Sequence, residues 1–175
     1  MRRARWLIVP LVAIPLAWIL FIGLGRDPSE IPSPLIGQPM PSFDLQTLDG
    51  GRLSSSDLTG RPVVVNFWAS WCKPACVDEH PVLQDAQAQV GDQVQLVGVL
   101  YDDEPADALE FLVTYGDGGW PQANDADGAV ALAYGVLGPP ETFFVDADGI
   151  VRAKHYGPLT EETLRAYLGQ IGVVE

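Results

Sequence analysis

The sequence predicts an α/β sandwich, and three features of the 175-residue chain predict it. Two nearly continuous β-branched and aromatic runs, Pro62–Trp68 and Val94–Leu100, have the composition of buried strands. Between them Leu83, Ala86 and Val90 recur at helical spacing among Gln and Asp, which gives the order strand, helix, parallel strand. Late in the chain, Thr142–Asp146 and Ile150–Lys154 meet at Ala147-Asp148-Gly149, and an amphipathic stretch follows: an antiparallel hairpin and a closing helix. That alternation layers helices against one sheet. No internal repeat is visible.

From the start of the chain, Trp6–Gly25 is a run of 20 residues without a charge, the length a membrane-spanning helix needs. Pro10 and Pro15 are tolerated in such a helix. Arg2, Arg3 and Arg5 ahead of it predict an inner N-terminus and an exported body. Gly23-Leu24-Gly25 is a small-x-small triplet, so a cleaved signal peptide competes, but a signal core is shorter, at about 7–15 residues. The expected organisation is an N-terminus and anchor over 1–25, a Pro-rich linker over 26–41 and one domain over 42–175.

The domain opens with a small hairpin: Phe43-Asp44-Leu45 alternates, Asp49-Gly50-Gly51 turns and Leu53 resumes. Ser54–Asp57 offers caps for a short turn ending at Gly60. After Leu100, Asp103 is the expected cap of a helix with Pro105 in its first turn, an inward stripe of Ala108, Leu109, Leu112 and Val113, and an end at Gly116. A loop holds Gly118, Gly119, Trp120 and Pro121, and a short helix runs from about 128 to 134. Thr160 caps the last helix, with Leu164, Tyr167, Leu168 and Ile171 facing inward.

Net charge is −13, and its distribution is uneven. Arg2, Arg3, Arg5 and Arg26 are four of the ten basic residues, whereas all 23 acidic residues lie from Asp27 onward. Phosphate binding needs a basic face, so nucleic acid is excluded as a partner.

Cys72 and Cys76 are the only cysteines and lie where a strand passes into a helix. The unpaired N–H groups and positive dipole end of a helix stabilise a thiolate, so the pair suits dithiol–disulfide exchange. A structural bridge is the first alternative, although so short a loop removes little unfolded-chain entropy. Buried free thiols are a second, but Lys73 and Pro74 suit a solvent-facing turn. Half of a metal site is a third.

The segment Asn66–Pro81, with Cys76-Val77-Asp78-Glu79-His80-Pro81, resembles the membrane-anchored, thioredoxin-like DsbE/CcmG thiol:disulfide interchange proteins of cytochrome c maturation. Ile31–Gly37, Gly138-Pro139-Pro140-Glu141-Thr142-Phe143 and Lys154–Thr160 match as well, so the resemblance covers essentially the whole chain. It implies a thioredoxin-like sandwich with an N-terminal hairpin extension behind a single inner-membrane helix, its domain on the periplasmic side. It implies a thiol:disulfide oxidoreductase without cofactor or metal, supplied with electrons by a membrane thiol donor. The implied partner is apocytochrome c or a cytochrome c maturation protein. Two departures stand out. Three residues, Lys73, Pro74 and Ala75, separate cysteines that the family separates by two, and Pro139 precedes Pro140.

In this reading Cys72 attacks, Cys76 resolves and Glu79 accepts the resolving thiol's proton, with a solvated surface carboxylate as the alternative for Glu79. Asn66 stands where thioredoxins resemble one another in having a buried acid. Trp71, Pro140 and Glu141 are the expected substrate-contacting set, with Pro140 in the family's cis position. His80 and His155 are read as packed side chains. The rival function is Cu(I) binding through C-x-x-x-C with His155, since soft thiolates select Cu(I). A general periplasmic reductase is the other.

Overall fold

The computed structural model describes residues 33–173 together with Ile14, Pro15 and Trp18. Apart from those three, the expected membrane segment lies outside the described residues, as does the first part of the linker. Among the described residues no helix is long and apolar enough to cross a membrane. Residues 33–41 are part of the domain rather than a spacer. Gly37 N donates to Val151 O at 2.8 Å and Met40 N to Gly149 O at 2.9 Å, while Leu35 and Met40 pack on the core.

Strands β1 (Asp44–Thr47) and β2 (Arg52–Ser54) form the predicted hairpin. A 3-10 turn over Ser55–Leu58 follows, capped reciprocally by Ser54 and Asp57. Then come β3 (Val63–Trp68), α1 (Ala75–Val90), β4 (Gln95–Leu100), α2 (Pro105–Tyr115), β5 (Gln122–Asn124), α3 (Ala129–Tyr134), β6 (Glu141–Val145), β7 (Val151–Tyr156) and α4 (Glu161–Gln170). They build a seven-stranded sheet in the order β2-β1-β5-β4-β3-β6-β7. β3, β4 and β5 are parallel neighbours, and β6 and β7 run antiparallel beyond β3.

The sequence reading missed β5 and took the N-terminal hairpin as an extension. β1 pairs antiparallel with β5, Gln46 opposite Asn124, so the hairpin continues the main sheet. Three residues of Gln-Ala-Asn carry no strand signature; their backbone partners on β1 and β4 make them one.

All six β3 residues are buried, and alternation sends them to two cores. Val63, Val65 and Phe67 meet Tyr134 of α3 with Phe143 and Val145 of β6. Val64 meets Leu83 and Val90 of α1, with Leu164 and Leu168 of α4. Each fully buried side chain of this size contributes about 1.5–3 kcal/mol. A third cluster, Trp68, Leu100, Ala108, Phe111 and Leu112, closes over both cysteines at the C-terminal ends of β3 and β4.

α2 is turned from its expected orientation. Ala108, Phe111 and Leu112 face inward, whereas Leu109 is 44% and Val113 87% exposed. The Phe111 ring packs on Trp68 and His80, at centroid distances of 5.1 and 5.5 Å, and it brings more apolar area to the core than Leu109 or Val113 could. Glu104, not Asp103, is the N-cap, because the Asp103 carboxylate is held by Ser70.

Candidate active site

β3 ends at Trp68 and α1 begins at Ala75, so the intervening turn presents the cysteine pair at the rim of the sheet. Cys72 and Cys76 are disulfide-bonded, with Cα atoms 5.4 Å apart, inside the range that unstrained bridges span. Cys72 precedes α1 and Cys76 lies in its first turn, where Cys76 N donates to Cys72 O at 2.8 Å. Both cysteines are buried, while Lys73 and Pro74 between them are exposed. The Pro139–Pro140 bond is cis, as expected, and so is Lys73–Pro74, which the sequence reading did not foresee.

Glu79 is 1% exposed, which removes the surface alternative. Its Oε2 accepts from Asn66 Nδ2 at 2.9 Å and its Oε1 from Leu159 N at 3.0 Å. Burial pushes its pKa up to about 7, against the opposing pull of those two donors. Asn66 also donates to Thr142 Oγ1 at 2.9 Å, so one amide ties β3, α1 and β6 together. The buried acid absent from β3 is thus supplied by the neighbouring helix. Cys76, Glu79, His80 and Leu83 fall at i, i+3, i+4 and i+7 of α1, one helical face, and this spacing is the sequence signal for Glu79's burial.

Cys76 and Glu79 line one small cavity of about 10 Å3, shared with Asn66, His80 and Gln122. That volume matches a single water site with polar walls. His80 is packed, as read: its Nε2 meets Gly116 O at 2.7 Å and its ring lies between Phe111 and Trp120. Burial lowers its pKa, which keeps the ring neutral. Trp68 Nε1 donates to Gln122 Oε1 at 2.9 Å. A Cβ on Gly98 would stand 1.9 Å from that oxygen, so β4 needs glycine there.

The turn before Cys72 is held by the β4–α2 loop. Asp103 Oδ2 accepts from Ser70 N at 2.6 Å, and Oδ1 accepts from Ser70 Oγ at 3.1 Å and Glu104 N at 2.9 Å. Trp71 is 53% exposed, yet its Nε1 donates to Asp102 O at 2.9 Å. Asp102 has φ of 44°, the only positive value at a non-glycine among the described residues. Asp tolerates that left-handed conformation better than most residues.

Glu141 is fully buried on β6 behind Pro140. Oε1 accepts from Leu137 N at 2.8 Å and Gly138 N at 3.2 Å, and Oε2 meets Lys154 Nζ of β7 at 2.6 Å without a hydrogen-bond donor in line. Its carboxylate folds the 137–140 loop instead of facing solvent. His155 pairs across the sheet with Thr142, packs on Tyr167 and meets Pro158 O at 3.4 Å. Among the described residues no group of three or more His, Cys, Asp or Glu side chains is arranged to hold a metal ion.

The sequence profile of the family described as Redoxin matches residues 35–171. The chain belongs to the Redoxin family. The chain is 43% identical to the thiol:disulfide interchange protein DsbE of Pseudomonas fluorescens biotype C over 164 residues, 92% of this chain and 90% of that protein. It is 38% identical to DsbE of Escherichia coli K12 over 166 residues, 90% and 88% of the two chains. A solved structure of a candidate DsbE from Chlorobium tepidum superposes with a TM-score of 0.72 at 33% identity, covering 78% of this chain and 98% of that one. This Redoxin-family protein is a thiol–disulfide oxidoreductase, and Cys72–Cys76 is its disulfide.

Proposed function

We propose that this chain is an exported reductant, anchored in the inner membrane by residues 6–25, that opens the disulfide of apocytochrome c or of a cytochrome c maturation partner on the periplasmic side. The observation that carries the reading is the cavity shared by Cys76 and Glu79, with Glu79 held near neutrality. A base of that pKa is half charged at physiological pH and is matched to a thiol proton.

In the reduced protein the Cys72 thiolate attacks one sulfur of the partner's disulfide. A Cys72–partner bond forms, and the partner's other sulfur leaves as thiolate. Cys76 passes its proton to Glu79, directly or across the one-water cavity, and attacks Cys72 Sγ. The second partner sulfur is then released as thiolate, and two electrons have moved to the partner. A membrane thiol donor returns two electrons to the Cys72–Cys76 disulfide. Trp71 and Pro140 act as walls for the partner's chain, and Glu141 acts from behind by holding the loop that carries Pro140.

A disulfide-bridged Cys-x-x-Cys-His peptide, the c-type haem attachment pattern, tests the reading. Cys76→Ser should accumulate a peptide adduct on Cys72 by mass spectrometry, and Cys72→Ser should accumulate none. Failure of the reduced parent to open the peptide, or an adduct on Cys76 instead, refutes it.

A further inference from the structure

From residue 74 to residue 151 the chain has no Lys or Arg and fifteen Asp or Glu. That stretch includes α2, which faces the cysteine turn across a cleft of about 450 Å3. Ser70, Trp71 and Lys73 form one wall of the cleft, and Asp107, Glu110 and Tyr115 of α2 form the other. Trp71 and Lys73 flank Cys72 in sequence, so the cleft borders the turn that carries the exchanging cysteine.

Three features define what fits. The Trp71 indole is exposed, but its N–H is bonded to Asp102 O, which fixes the ring as an aromatic wall. Tryptophan is the best side-chain partner for a cation over its face. Asp107 and Glu110 are exposed carboxylates facing the same space. Lys73 is the one cation of the lining, outnumbered by Asp107 and Glu110.

We infer that this cleft receives a cationic segment of the substrate polypeptide, with Lys or Arg side chains beside the disulfide being exchanged. The inference rests on exchange at Cys72 as proposed above, and it names the class of chain exchanged. Specificity of this kind acts on encounter rate and falls with salt.

The test uses the full-length reduced protein and disulfide-bridged Cys-Gly-Gly-Cys peptides flanked by three lysines, three serines or three glutamates. Second-order rates of protein oxidation are read by acid quench and thiol counting. At 20 mM salt the lysine peptide should react about tenfold faster than the serine peptide and the glutamate peptide slower, with the spread collapsing to within about twofold at 0.5 M NaCl. Asp107→Asn with Glu110→Gln should cut the lysine advantage to about threefold or less. Asp85→Asn with Asp92→Asn removes the same charge from exposed positions outside the cleft and should leave the advantage intact. Equal rates for the three peptides, or equal losses in both double variants, overturn the cleft while leaving exchange standing. Reaction with none of the peptides overturns the proposed function, and the cleft with it.

Discussion

Replacing Glu79 by Gln should remove the loss of stability that Glu79 imposes on the oxidised protein as pH rises from about 4.5 to 7. Glu79 starts from an ordinary carboxyl value of 4.5 and is raised to about 7 in the fold. The folded state therefore binds a proton more tightly than the unfolded chain. The resulting stability is fully present below about pH 4.5, declines between 4.5 and 7, and is gone above 7. At 1.36 kcal/mol per pK unit the decline is about 3 kcal/mol. The substituted glutamine can keep the local bonds. Its oxygen accepts from Leu159 N, and its amide donates to a flipped Asn66 whose oxygen also accepts from the Thr142 hydroxyl. The variant should match the parent within about 1 kcal/mol at pH 4 and exceed it by about 3 kcal/mol at pH 8. Urea midpoints at half-unit pH steps give both curves. His80 acts in the opposite sense: its lowered pKa costs stability as pH falls below about 6.5. The variant-minus-parent difference cancels that contribution, since His80 is present in both. A difference that stays flat from pH 4 to 8 would refute the buried, proton-holding Glu79. The same variant should slow resolution of the mixed disulfide and leave the first attack by Cys72 largely intact.

Asp103→Ala removes three hydrogen bonds to a carboxylate and should cost about 2 kcal/mol by urea unfolding. With Ser70 released, the Trp71 fluorescence of the variant should become more accessible to acrylamide, whereas unchanged quenching would mean the turn is held by other contacts. Glu141→Ala takes the carboxylate from Lys154 Nζ, which keeps its bond to Gly135 O, and leaves two backbone N–H groups behind Pro140 without their acceptor, so a loss of about 3 kcal/mol is expected. Glu141→Ala combined with Lys154→Met should recover part of that loss, and equal damage in the single and double variants would show that the ion pair is not what Glu141 serves.

Much of the fold was legible because its signals are local. β3 and β4 are runs of β-branched residues, the hairpins carry Gly-containing turns, and α4 carries its own cap at Thr160. The cysteine pair could be placed at the strand–helix junction from neighbouring composition alone. Pro140 could be placed as the cis position because the short segment Gly138–Phe143 resembles the family's own. What tertiary structure decided depends on partners distant in sequence. β5 is a strand because β1 and β4 lie on either side of it. α2 turns Phe111 inward because Trp68 and His80 wait there, leaving Leu109 and Val113 outside. Asp103 looks like a helix cap until Ser70, 33 residues earlier, takes its carboxylate. Glu79 is the sharpest case. Its type and its place on α1 are written in the chain, but its raised proton affinity comes from the burial that only folding supplies, held in check by the bonds from Leu159 N and Asn66. A pKa measures the whole surroundings of a charge, and local sequence supplies only the charge.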